Sequence, residues 1–209
     1  MGVSERKERE KERRKNEIID AAEKVFFAKS YENSTMDDVA AEAELSKGTL
    51  YLYFKNREEL HFSIIMRAML ILANYLRKAF DENKAGSENL LEMGKAYINF
   101  AQENEKYFES ILYFDTSKFD KLGEENKLFI MGDDSPLLFF INVIEQGKND
   151  GSIRDDITSP ELAIMLWSQT TGVMDFAVKR QKLVEMLGVN LEDMMLNNFK
   201  VLLEGVNKK

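Results

Sequence analysis

Residues 35–60 read TMDDVAAEAELSKGTLYLYFKNREEL, and the order of caps and apolar positions in this stretch decides the fold. Thr35 with Asp38 three residues on is a variant of the capping box, aspartate standing where glutamate is usual. It predicts a short helix with Met36, Val39, Ala40 and Ala43 turned inward. Glu44-Leu45 leaves room for only a tight connection. Ser46 is the next N-cap, and the helix it opens runs to about Tyr53. A longer helix follows Asn56 and reaches roughly Phe80, with Leu60, Ile64, Ala68, Ile71, Leu72, Tyr75 and Leu76 as its apolar stripe.

Two short helices around a tight turn can place the second in a DNA groove, provided that helix exposes hydroxyls and cations. The helix after Ser46 does. Lys47 can reach a guanine edge or a phosphate, and Thr49 a base edge or thymine methyl. Tyr51 and Tyr53 carry long hydroxyl-tipped side chains, and Gly48 lets the backbone approach closely. Thr35 and Ser46 stand at helix starts, where unpaired amides favour an anion. Arg57 opens the next helix within reach of the same backbone. Leu50 and Phe54 have no such part and are expected in the core.

Working outward, a helix from about Lys15 to Lys29 precedes the motif, with Ile18, Ile19, Ala22, Val25 and Phe26 on one face. The charged arm before it lacks an apolar stripe but can pair Glu with Lys/Arg three or four residues apart. Beyond the motif, Ser87 is expected to cap a helix through Tyr97, Ile98 and Ala101, and another spans about Glu105 to Phe114. A helical piece is expected around residues 124–130. Ser135-Pro136 and Ser159-Pro160 each set a capping serine before proline, opening helices to about Lys148 and Lys182. The last helix covers roughly Leu191 to Glu204. The expected fold is all-α with about nine helices, divided into residues 1–57 and 58–209.

The net charge of −8 is unevenly spread. Residues 1–57 hold twelve Lys/Arg and twelve Asp/Glu, so the whole negative excess lies in residues 58–209. Residues 1–15 carry seven basic and four acidic side chains, and residues 46–57 carry Lys47, Lys55 and Arg57 with no acid. A neutral head with two basic patches can still face phosphates. The chain has no cysteine, which excludes disulfides and thiolate chemistry and fits an intracellular, cytoplasmic protein. No run of 18 uncharged apolar residues predicts a membrane span, and the charged N-terminus does not read as a secretory signal.

The residues from Thr35 to Leu60, with the Ser-x-Gly-Thr segment and the Tyr-x-Tyr-Phe run in order, closely resemble the DNA-binding domain of the tetracycline-repressor (TetR) family. The resemblance covers about residues 14–62. It departs at three positions. Glu44 stands where the turn usually has glycine, Ser30 stands where glycine usually follows the first helix, and Arg57 replaces a lysine. Carried over by position, the resemblance implies phosphate contacts from Thr35, Ser46, Tyr53 and Arg57. It implies base-edge contacts from Lys47, Thr49, Tyr51 and Leu52.

It also implies a homodimer formed through about 160–182 and 191–204, and a repressor released from a double-stranded DNA operator by a small apolar effector. Tyr97, Phe100, Tyr107, Phe108, Phe114, Phe139, Phe140, Met165 and Trp167 are the aromatic and methionine side chains available to line such a pocket. The pairs Tyr107-Phe108 and Tyr113-Phe114 make that segment the best place for it. No metal or other cofactor is expected. An enzyme is disfavoured, because the single His61 has no partner in the sequence and Asp133-Asp134 and Asp155-Asp156 read as caps or solvated loops. The remaining alternative is a helical scaffold or interaction module that binds no DNA, which would leave Lys47, Thr49 and Arg57 together without a purpose.

Overall fold

The computed structural model describes residues 2–112, 132 and 134–208. Among them are ten helices, and the only β pairing is a single antiparallel bridge between Ile153 and Asn207. The chain divides into two compact units, Met1–Ala68 and Met69–Lys209, and the divide falls inside one helix.

The first unit begins with α1 (Val3–Lys29), which takes in the charged arm as well as the expected apolar segment. Pairs Arg13–Glu10, Arg13–Glu17 and Arg14–Glu17 run along its exposed surface, each worth only a few tenths of a kcal/mol. Its packed half is fixed by Ile18, Ile19, Ala22, Val25 and Phe26, all buried as expected. α2 (Met36–Glu42) starts on the predicted box: the Asp38 N–H donates to Thr35 Oγ1 at 3.1 Å, and the Thr35 N–H donates to Asp38 Oδ2 at 2.9 Å. Met36, Val39 and Ala40 are buried beneath it. Ion pairs Lys29–Asp38 (2.6 Å) and Lys24–Glu42 (3.1 Å) run α2 back along α1.

α3 (Lys47–Tyr51) is shorter than the expected segment to Tyr53, which finishes as a turn with the Tyr53 and Phe54 amides both donating to Leu50 C=O. Leu50 and Phe54 are sealed in the core as the sequence indicates. The two turns around α2 contain the only non-glycine residues with positive φ among the described residues, Ser30 (68°) and Glu44 (54°). These are the two places where the sequence departs from glycine. α4 (Arg57–Ala79) follows, and it is long and apolar enough to cross a membrane. It is a core helix instead: Leu60, Phe62, Ile64, Ile65, Ala68, Leu72, Ala73 and Leu76 are buried, and mid-helix Arg67 pairs with Asp20 and Glu23.

The second unit holds the rest of α4 and α5 (Gly86–Glu103), α6 (Glu105–Leu112), α7 (Pro136–Asn149), α8 (Ser159–Lys179), α9 (Gln181–Met186) and α10 (Leu191–Val206). Its core includes Leu90, Met93, Phe100, Val143, Ile144, Leu162, Leu166, Met174, Met195 and Phe199. Three expected boundaries are corrected. Ser87 is not the cap of α5; the helix starts at Gly86, because Glu88 reaches back to the Ala85 N–H and the loop after α7 supplies Asp150 to Gly86 N–H and Ser152 to Ser87 N–H. Thr158, not Ser159, caps α8, since it forms a box with Glu161 while the Ser159 hydroxyl turns to Glu145. The helix expected to reach Lys182 breaks at Arg180, whose φ of −122° and ψ of 27° are not helical, and this separates α9. The piece expected at residues 124–130 and the end of the helix expected to reach Phe114 lie outside the described residues.

Candidate nucleic-acid interface and apolar cavity

α3 is seated by Leu50 from below and turns the rest of its surface outward. Ser46, Lys47 and Gly48 are exposed, Thr49 and Tyr53 are half-buried, Tyr51 is 43% exposed and Leu52 is 81% exposed. Leu52 adjoins the exposed Tyr51, so this end of α3 presents apolar surface beside its hydroxyls. Ser46 Oγ accepts the Thr49 N–H at 3.1 Å and shares a hydrogen with Thr49 Oγ1 at 2.8 Å, so these two hydroxyls hold each other in place. A Cβ added at Gly48 would meet nothing nearer than Ser46 Oγ at 3.9 Å, so the space above this helical glycine is open to a ligand.

The two cations of the motif are less free than their sequence positions indicate. Lys47 Nζ lies 2.7 Å from Asp37 Oδ1 and 3.1 Å from Oδ2, which raises its pKa through the hydrogen bond first and the opposite charge second. Both partners are exposed, so the pair is a weak one screened by solvent and leaves Lys47 able to exchange it for another anion or acceptor. Arg57 is bound more firmly. Its Nη1 donates to the carbonyls of Tyr31 (3.1 Å), Glu32 (3.4 Å) and Ser34 (2.5 Å), and its guanidinium stacks 4.3 Å over the Tyr31 ring. His61 also stacks on Tyr31, with ring centroids 4.2 Å apart. Arg57 therefore fastens the start of α4 to the α1–α2 loop instead of pointing its charge outward. Thr35 serves α2 as its cap, and its partner Asp38 is held at a pKa of about 2 by hydrogen bonds from Lys29 and Thr35.

In the second unit, an apolar cavity is lined by Leu72, Leu76, Met93, Gly94, Tyr97, Pro136, Leu137, Phe140, Leu166, Trp167, Thr170 and Phe199. It offers about 60 Å³ to a water-sized sphere, and about 500 Å³ of non-atom space when the adjoining open solvent is included. Of the nine side chains expected to line a pocket, Tyr97, Phe140 and Trp167 do. Phe100 is fully buried edge-on to Tyr75, and Phe139 packs edge-on to Phe80 under the Arg77 guanidinium. Phe108 borders a separate cleft with Ala101, Leu112 and Met195 that offers about 180 Å³ to a water-sized sphere, more than this cavity does, and Tyr107 is half-buried at the core edge. Met165 is corrected: it is 44% exposed on the outer face of α8, one residue out of register with inward Leu166. Phe114 lies outside the described residues. Met93, Thr170 and Phe199 also line the cavity, and no clustering of aromatic residues along the sequence points to them.

The fold and the α3 face together define a helix-turn-helix unit followed by a helical body. Residues 18–64 match the family model described as bacterial regulatory proteins, tetR family. The chain is 30% identical over 100 residues to an uncharacterized HTH-type transcriptional regulator of Haemophilus influenzae, a match covering 48% of this chain and 54% of that one. It is 28% identical over 152 residues to the Bacillus subtilis regulator YhgD, covering 71% and 75% of the two chains. The match thus spans about half the length of the first relative. The fatty acid degradation regulator FadR of Bacillus halodurans has the same fold, with a TM-score of 0.70 at 18% identity over 90% of this chain and 94% of that one. The helix-turn-helix segment at residues 18–64 thus matches the tetR family, and the chain as a whole shares the fold of the solved structure.

Proposed function

We propose that the protein is a dimeric transcriptional repressor that binds an operator through α3 and leaves it when an apolar effector occupies the cavity of the second unit. The observation that carries the reading is the outward face of α3, held rigid by Leu50, Phe54 and the Ser46–Thr49 pair while exposing Lys47, Gly48, Tyr51 and Leu52. In this reading Thr35, Ser46 and Tyr53 meet phosphates and Lys47, Thr49, Tyr51 and Leu52 meet base edges. Arg57 contributes by holding the α1–α2 loop. Residues 1–57 form the DNA-binding part and residues 58–209 the effector-binding and dimerising part. The protein works in the cytoplasm, where its operator is.

Dimerisation through about 160–182 and 191–204 is supported by apolar side chains exposed on α8 and α10. Phe176 is 49% exposed and Val201 68% exposed, and both border an open trough with Gly172, Val173, Met194 and Asn197. A dimer on a promoter blocks polymerase, which makes repression the simplest output. The description of the Bacillus halodurans structure as a fatty acid degradation regulator fits an aliphatic effector for a cavity with this lining.

A mobility shift with a pool of duplex genomic fragments tests the reading. Wild type is expected to retard a subset of fragments, with affinity falling as salt rises from about 50 to 200 mM. Lys47→Ala and Tyr53→Ala are expected to weaken that retention. No retention at low salt, or retention indifferent to salt, contradicts the DNA-binding reading and favours a scaffold.

A further inference from the structure

We propose that the N-terminal arm of α1 is a second DNA contact, in which Lys7, Lys11 and Lys15 bind backbone phosphates of the same duplex whose base edges α3 reads. This rests on the reading of α3 as the DNA-reading helix and adds a contact outside the helix-turn-helix, one that carries no sequence information.

The sides of α1 are identified by what they hold. Lys24 and Lys29 pair with Glu42 and Asp38 of α2. Asp20 and Glu23 pair with Arg67 of α4, which also donates to Asn16. Ile18, Ala21, Ala22 and Val25 are buried. At about 3.6 residues per turn, each of these rows continues into the arm. Lys11, Arg14 and Lys15 stand two turns before Ile18, Ala21 and Ala22, and Lys7 stands one turn before Lys11. Lys15 is also on the row of Lys29, which touches α2. The row of Glu23 continues instead through Glu12 and Glu5. The arm is therefore basic on the side of α1 that holds α2 and acidic on the side that holds α4. Arg6, Arg9 and Arg13 occupy the face opposite the lysines, where Arg13 is paired with Glu10 and Glu17.

Solvation alone calls for charges of either sign, and pairing along a helix calls for alternating ones. Neither calls for cations gathered on one side with no acid among them. Arg14 is held by Glu17 at 2.8 Å, so the three lysines carry the stripe. Lys7 and Lys11 are exposed and Lys15 is half-buried. The side that holds α2 is the side that meets DNA, because the first helix of a helix-turn-helix crosses the phosphate backbone while the second enters the groove. α2 runs antiparallel to α1, with its last residue, Glu42, at Lys24. At 1.5 Å per residue, the lysines stand about 14 to 26 Å beyond that contact. This carries them past the end of α2, yet keeps them within one turn of duplex, about 34 Å. An ammonium on a flexible stem suits a phosphate there, where a fixed geometry is not needed.

The test uses the full-length protein and three triple variants. Lys7→Gln/Lys11→Gln/Lys15→Gln removes the stripe, and Arg6→Gln/Arg9→Gln/Arg13→Gln removes the same charge from the opposite face. Lys7→Arg/Lys11→Arg/Lys15→Arg keeps the stripe basic. Equilibrium affinities are measured from about 50 to 200 mM salt, on a duplex selected by the protein from a random pool and on a scrambled duplex. The lysine-to-glutamine variant is expected to lower the slope of log affinity against log salt by about two to three, and to lose the same factor on both duplexes. The arginine-to-glutamine variant is expected to change the slope by less than about one, and the lysine-to-arginine variant to keep the wild-type slope. An unchanged slope without the lysines, an equal fall from either face, or a loss confined to the selected duplex overturns the arm contact while DNA reading by α3 stands. A wild type that binds neither duplex overturns both.

Discussion

The α3 face and the cavity of the second unit are built in opposite ways. On α3, two buried side chains, Leu50 and Phe54, hold the helix while its chemistry is displayed on the outside. In the cavity the chemistry is on the inside, carried by side chains that elsewhere would be called core. A display face depends on local caps and turns, which short sequence spacing specifies. A cavity depends on where five helices fail to fill space, which no local spacing specifies. The contrast is open to test, because each region has substitutions that spare the other.

The largest expected effect is Leu50→Ala. Deleting a fully buried leucine beneath α3 is expected to cost about 2–5 kcal/mol and to abolish DNA binding. The second unit should stay folded, as the fluorescence of Trp167 would report, since Leu50 lies in the other compact unit. Loss of DNA binding together with unfolding of the second unit would break the contrast. Next come the turns around α2. Ser30 adopts φ 68° with ψ 157°, a region costing about 1–3 kcal/mol for a residue with a Cβ, and Glu44 at φ 54° carries a left-handed cost of about 1–2 kcal/mol. Ser30→Gly and Glu44→Gly are therefore expected to raise the melting temperature, and a fall in either would show that the side chain contributes more than the strain removes.

Gly48→Ala separates stability from function within α3. Alanine fits the open space and favours the helix by about 0.5–1 kcal/mol, so the protein should melt slightly higher. DNA affinity should fall, because the added methyl stands where the backbone approaches the duplex. Unchanged affinity would move the interface away from Gly48. The smallest effect concerns pH. Asp38 is held at about 2 against an ordinary 3.8, so its contribution to stability is fully present above about pH 4 and is lost as pH falls through 2. Asp38→Asn should flatten the acid limb of the stability profile in that window, measured by thermal melts at graded pH.

Much of the first unit was legible because its determinants are three or four residues apart. Thr35 with Asp38, Ser46 with Thr49 and the stripe from Leu60 to Leu76 can each be read along the chain. The positive φ at Ser30 and Glu44 was signalled only by the resemblance, since neither residue type announces a left-handed turn. Contacts between distant positions were not legible. Asp37 claims Lys47 from ten residues away, and the carbonyls of Tyr31, Glu32 and Ser34 claim Arg57 from more than twenty. The caps of α5 and α8 were displaced for the same reason, because Asp150, Ser152 and Glu145 come from another part of the chain. Within the cavity, Thr170 and Phe199 sit on ordinary apolar stripes, and only the packing of the helices distinguishes a lining residue from a filling one.

The central claim is that the exposed face of α3 reads base edges, and one measurement tests it most directly. Equilibrium affinities of wild type and Lys47→Ala are compared on a duplex selected by the protein from a random pool and on a scrambled duplex of the same length and salt. Wild type is predicted to prefer the selected duplex by about a thousandfold or more. Lys47→Ala is predicted to lose about 1–3 kcal/mol on the selected duplex and much less on the scrambled one. Equal affinity of wild type for both duplexes, or an equal loss by Lys47→Ala on both, would contradict base reading by α3.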